Sequence, residues 1–176
     1  MALRERYLAA QTFDEFVAAA QVNQELWRAL WGGVRLPERA AERAARVGGA
    51  WHLLVLNEDW CGDAVNTVPV LARLAADAPN LDLRVLGRDA NPDLMDAHLT
   101  NGARSIPVAI LLDAEYRERA WWGPRPRALQ QWVLGEGQSL DKATRYREVR
   151  KWYARDRGKA TVEEVLGMME SATRSA

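Results

Sequence analysis

The sequence predicts an α/β fold: a central four-stranded mixed sheet flanked by helices, with extra helices at both the N- and C-terminal ends. Two observations carry this expectation. Residues 51–56 and 108–112 form short, almost continuous apolar runs, the appearance of strands buried on both faces of a helix-covered sheet. Helical periodicity fills the intervals, in the order helix, β, α, β, α, β, β, α, then more helix. A β-α-β start makes the first two strands parallel through a right-handed crossover. A short last connection makes the final pair an antiparallel hairpin.

The first fifty residues read as helical. Thr12 with Glu15 three positions later forms a capping box. Phe13, Phe16, Val17, Ala20, Leu26 and Leu30 then recur at helical spacing until Gly32-Gly33 ends that helix. A second, shorter helix begins near Pro37 and stops at Gly48-Gly49. After the first strand, Val65, Val68, Leu71, Leu74 and Ala75 predict a helix over 61–77, with Pro69 kinking it or marking an early turn. The second strand is 81–86. A helix opens at Asn91-Pro92-Asp93, with Asn91 as N-cap and Pro92 in the first helical position. Strands at 108–112 and 116–122 are joined by Asp113-Ala114-Glu115, and Gly123-Pro124 ends the second of them. Trp121 and Trp122 should face opposite sides of the sheet. Helices follow on Leu129, Trp132 and Val133, on Tyr146, Val149, Trp152 and Tyr153, and on Val162, Val165, Leu166 and Met169. The expected organisation is one compact domain: an N-terminal helical extension over 1–49, a core over 50–135 and a C-terminal helical extension over 136–176.

Composition narrows the function. The 24 basic and 24 acidic residues cancel, which does not favour a nucleic-acid partner. No apolar run approaches a membrane span. One cysteine forms no internal disulfide and no cysteine-based zinc site. No phosphate-cradling glycine loop occurs, so neither cofactor nor metal is expected. His52 reads as a core or edge residue of the first strand, and His98 as lying in an exposed helix without a role. Asp93 and Asp96 read as helix-start residues favoured by the dipole. The basic stretch from Lys142 to Lys159 reads as a solvated helix face, with a weak site for acidic partners as the alternative. The N-terminus carries no secretory pattern. Together with a lone thiol suited to a reducing compartment, this gives a cytoplasmic expectation.

The informative stretch is Glu58-Asp59-Trp60-Cys61-Gly62-Asp63-Ala64. Cys61 follows a buried strand and opens a helix, where free N–H groups and the helix dipole favour an anion. That placement predicts a depressed thiol pKa and a reactive thiolate. Asp59 and Asp63 bracket the sulfur, and their charge opposes thiolate formation. Gly62 leaves room for another chain beside the sulfur.

Trp60-Cys61-Gly62, Ser105-Ile106-Pro107 with its following apolar strand, and Gly123 resemble, in order and spacing, the motifs of the thioredoxin superfamily. The resemblance covers roughly residues 50–135. It implies a thioredoxin-like fold, with Cys61 as the catalytic thiol. It also implies a cis Pro107 lying against the sulfur, with Ile106, Trp60 and Gly62 lining the substrate groove. The helices at both ends are similar to those of a bacterial thioredoxin-like subfamily. Two departures matter. Ala64 stands where the family's second, resolving cysteine would be, and Val55 where a buried aspartate is common. A disulfide between Cys61 and a substrate must then be resolved by an external thiol. The partner expected is a low-molecular-weight thiol or a protein thiol or disulfide. Arg104, close to the proline loop, is a candidate to offset Asp63 or bind a carboxylate of a small thiol. The competing reading is a redox-inactive binding module that holds a peptide or protein in the Trp60–Ile106 groove.

Overall fold

A computed structural model of the chain describes residues 1–174. Its centre is a four-stranded mixed sheet in the order β2-β1-β3-β4. The strands are β1 (Trp51–Asn57), β2 (Leu81–Gly87), β3 (Val108–Leu112) and β4 (Glu118–Trp122). β1 runs parallel to β2 and antiparallel to β3, and β3 pairs antiparallel with β4. Every residue of β3 is buried, as are Leu53 to Leu56 of β1, so both apolar runs are strands covered on two faces. Full burial of such side chains contributes about 1.5–3 kcal/mol each, which is why these two strands were the plainest signals in the sequence.

Nine α-helices surround the sheet among the described residues. Four precede it: α1 (Leu3–Ala9), α2 (Phe13–Ala19), α3 (Gln24–Gly33) and α4 (Ala40–Arg46). The single helix expected from Phe13 to Leu30 is therefore two. The chain breaks at Ala20–Asn23, with Asn23 in the left-handed region at φ 59°. The Thr12–Glu15 capping box is present, the Glu15 amide donating to Thr12 Oγ1 and the Thr12 amide to Glu15 Oε2. The expected N-terminal helical extension begins with α1. It is tied down by Tyr7, whose hydroxyl donates to Asp82 at 2.8 Å, and by the buried Arg6, whose guanidinium reaches Asn91 Oδ1 at 2.6 Å and the Asp93 carboxylate. Gln11 exchanges both backbone hydrogen bonds with Val85, so the extension covers the outer edge of β2, an edge that would otherwise invite pairing.

Helix α5 (Ala64–Asp77) runs unbroken through the buried Pro69. Helix α6 (Pro92–Asp96) has Asn91 before it, but the Asn91 side chain does not cap it. It instead accepts from Arg6 and donates to the Gly87 carbonyl. After β4 come α7 (Arg127–Leu134), a 3₁₀ turn (Glu136–Ser139), α8 (Lys142–Asp156) and α9 (Lys159–Arg174). The apolar core is continuous from Tyr7, Phe13 and Trp27 through the sheet to Val162, Leu166 and Met169, and a smaller cluster joins Leu129, Val149 and Tyr153.

His98 is buried rather than exposed. Its Nε2 lies 2.9 Å from Glu118 of β4 and its Nδ1 2.7 Å from the Leu94 carbonyl. His52 is half-buried and stacks flat on Tyr116, with ring centroids 4.5 Å apart. Trp121 is exposed and Trp122 buried, as the strand's alternation requires.

Candidate functional site

Cys61 lies in the loop between β1 and α5, and its carbonyl accepts the first helical bond, from the Val65 amide at 3.1 Å. The sulfur is therefore at the helix start. It faces the backbone N–H groups of Asp63 and Ala64, which favour the thiolate. Across the groove the Ile106–Pro107 bond is cis, and the Cys61 Sγ donates to the Ile106 carbonyl at 3.4 Å. Gly123 makes that loop possible. At φ +134° a Cβ on Gly123 would stand 2.1 Å from the Pro107 carbonyl oxygen, so no side chain fits. Gly62 is different: a Cβ there would meet nothing within 4 Å. Its smallness leaves open space beside the sulfur rather than serving packing within the chain.

Cys61 is buried, 7% exposed as a residue. Burial pushes its pKa up, assisted by the negative charge of Asp63, while the two N–H groups and Arg125 oppose the rise. The net direction is upward. Desolvation at this helix start outweighs the effect that motivated the expectation of a depressed value. Ala64, in the place of a resolving cysteine, is fully buried, and Val55 is likewise buried in β1. Cys61 is the sole cysteine.

Sequence reasoning missed the partners of Asp63. Its carboxylate is held by the Arg125 guanidinium, with contacts at 2.6 and 2.9 Å, and by the Tyr153 hydroxyl at 2.9 Å. Burial and that carboxylate hold the Tyr153 hydroxyl firmly in its neutral form. Arg104, the expected counter-ion, forms a bidentate pair with Asp96 instead, at 2.6 and 2.7 Å. Sequence adjacency to Ser105 brought Arg104 to the rim of the site but left its charge with Asp96. The only clue to the true partners was the position of Arg125 two residues after Gly123.

Asp59, on the other side of the sulfur, accepts from the Gln21 and Val22 amides at 2.7 and 3.0 Å. Its backbone carbonyl accepts the indole N–H of the buried Trp27 at 3.0 Å. Trp60 is 48% exposed, with the Arg88 guanidinium 5.0 Å above its ring. Cys61, Trp60, Gly62 and Ile106 line one open cleft of about 510 Å³, with Arg88, Arg104, Arg125 and Arg150 around it. The described residues contain no cluster of three or more His, Cys, Asp or Glu able to hold a metal ion, and no helix long and apolar enough to cross a membrane.

The family model described as Thioredoxin matches residues 10–149. No curated protein matches the chain. Among solved structures, the chain is similar to a protein of unknown function from Pseudomonas aeruginosa, at 22% identity and a TM-score of 0.78, covering 98% of this chain and 99% of that one. It is also similar to an HIV epitope scaffold, at 20% identity and a TM-score of 0.75, covering 97% and 99%. Both likenesses concern the fold, including its added helices.

Proposed function

The chain belongs to the thioredoxin family, and from that premise we propose that it takes part in thiol–disulfide exchange as a monothiol protein through Cys61. The observation that carries the reading is the seating of one sulfur at a helix start, 3.4 Å from the Ile106 carbonyl and beside cis Pro107, on the wall of an open cleft. In the proposed cycle Cys61 loses its proton to solvent and its thiolate attacks a substrate disulfide. The new bond joins Sγ to one substrate sulfur, and the other leaves as a thiolate. With alanine at position 64, a second, external thiolate then attacks the substrate sulfur and returns Cys61 as the leaving group. A low-molecular-weight thiol or a protein thiol of a reducing, cytoplasmic compartment would fill that role. Trp60, Gly62, Ile106 and Pro107 would form the groove that receives the substrate, and Asp63 with Arg125 would set the charge beside the sulfur.

One observation favours a second reading. The thiol is buried and its pKa raised, as would suit a redox-inactive module using the Trp60–Ile106 groove to hold a peptide or protein. Reaction of the native protein with oxidised glutathione, followed by intact mass across pH, separates the two. Exchange predicts one mixed disulfide per chain, forming faster as pH rises into the alkaline range and released by a second thiol. A Cys61 that reacts only after denaturation would leave the binding module as the better account.

A further inference from the structure

A second cleft, of about 580 Å³, opens on the other side of Asn66 and Arg150, between the loop after α3, helix α5 and the α8–α9 corner. Its size is that of a small-molecule site. Its walls include Leu30, Val34, Leu36, Pro37 and Pro69. The corner is pressed tightly onto α5, since a Cβ on Gly158 would meet Val70 at 2.7 Å. Four cations line it: Arg35, Arg150, Arg157 and Lys159. No aspartate or glutamate does. None of the four takes part in the ion pairs of the described residues, although the chain carries as many acidic as basic groups. Arg35 is held at the mouth by its bonds to the Gly32 and Val34 carbonyls. Three of these cations, Arg150, Arg157 and Lys159, are exposed and belong to the basic stretch 142–159. Here the acids that neutralise cations elsewhere in the molecule are missing, and the surface beneath is apolar.

We propose that this cleft is a binding site for an organic acid with an apolar body, a medium-chain carboxylate. The apolar tail covers the proline and leucine surface, and the carboxylate meets the unpaired cations. The site needs no sulfur, so it stands or falls apart from the thiol chemistry.

The test is calorimetric titration of Cys61→Ser protein with decanoate and, separately, with decanol. Saturable binding at one site is expected, with decanol at least about tenfold weaker. Raising the salt concentration should weaken decanoate alone. Ala154 lines the cleft from an exposed position on α8, so Ala154→Trp should fill it and abolish binding. Arg157→Gln with Lys159→Gln, both outside the thiol cleft, should weaken decanoate about tenfold and leave decanol unchanged, which keeps the test decisive should the tryptophan variant misfold. Equal affinity for acid and alcohol would overturn the proposal. So would binding that neither variant alters, non-saturating uptake by several molecules, or binding confined to anionic vesicles.

Discussion

The two aspartates beside Cys61 are four residues apart and are held by opposite ends of the molecule. Asp59 is claimed by the N-terminal extension, through the Gln21 and Val22 amides, with Trp27 on its carbonyl. Asp63 is claimed from the C-terminal side, by Arg125 after β4 and by Tyr153 of α8. The first is compensated by dipoles alone, the second by a full positive charge. A carboxylate beside a buried sulfur raises the cost of a thiolate, so a counter-charge matters more at Asp63, whose field reaches Cys61. The added helices therefore form part of the walls of the thiol loop.

Breaking the charged side should have the largest effect. Arg125→Ala leaves the Asp63 carboxylate, 12% exposed in its side chain, without a counter-ion. A loss of about 3 kcal/mol in urea denaturation is expected. The same variant should raise the Cys61 thiol further, seen as slower alkylation at fixed pH, because Arg125 opposes the rise. Unchanged stability would mean that water, not Arg125, compensates Asp63. On the dipolar side, Trp27→Phe keeps a ring in a fully buried position but removes the donor to Asp59. The missing volume and hydrogen bond should together cost about 2 kcal/mol, and thiol reactivity should shift less than in Arg125→Ala. Tyr153→Phe removes one hydroxyl from Asp63 and leaves the guanidinium in place, so about 1 kcal/mol is expected from the melting curve. If Tyr153→Phe cost more than Arg125→Ala, the ranking of charge over dipole would be reversed.

The smallest effect is a pH dependence remote from the thiol. The Glu118 carboxylate raises the pKa of His98 against an opposing desolvation. A histidine with a raised folded-state pKa contributes stability that is fully present below the unfolded value of about 6.5 and is lost as pH rises through the folded value. His98→Gln should therefore cost more melting temperature in mildly acidic buffer than in alkaline buffer. An equal cost at both would show that Glu118 does not shift the His98 pKa between the folded and unfolded states.

Much of the fold was legible because its signals are local. β1 and β3 are apolar on both faces, and the Thr12 capping box is written in adjacent residues. The helical character of the first residues was legible, but what anchors α1 was not, since its partners Asp82, Asn91 and Asp93 lie far along the chain. The break between α2 and α3 has no glycine or proline to mark it, and Asn23 takes the left-handed turn instead. His98 read as exposed because nothing near it in sequence reveals that Glu118 of β4 packs over the end of α6.

The site divides in the same way. Cys61 could be placed locally, because a strand leading into a helix is a local instruction, whereas Trp60, Ile106, Pro107 and Gly123 could be placed only through the resemblance of their motifs and order to those of the thioredoxin superfamily. The charge facing the sulfur could not. Asp63 and Arg125 are 62 residues apart, and Arg104 lost the pairing to an aspartate eight residues away. The sequence by itself determined where the thiol sits along the chain and that it has no second cysteine to pair with. Tertiary packing alone decided how deeply the thiol is buried, and so the direction of its pKa, because desolvation and ion pairing depend on which distant surfaces close over a group.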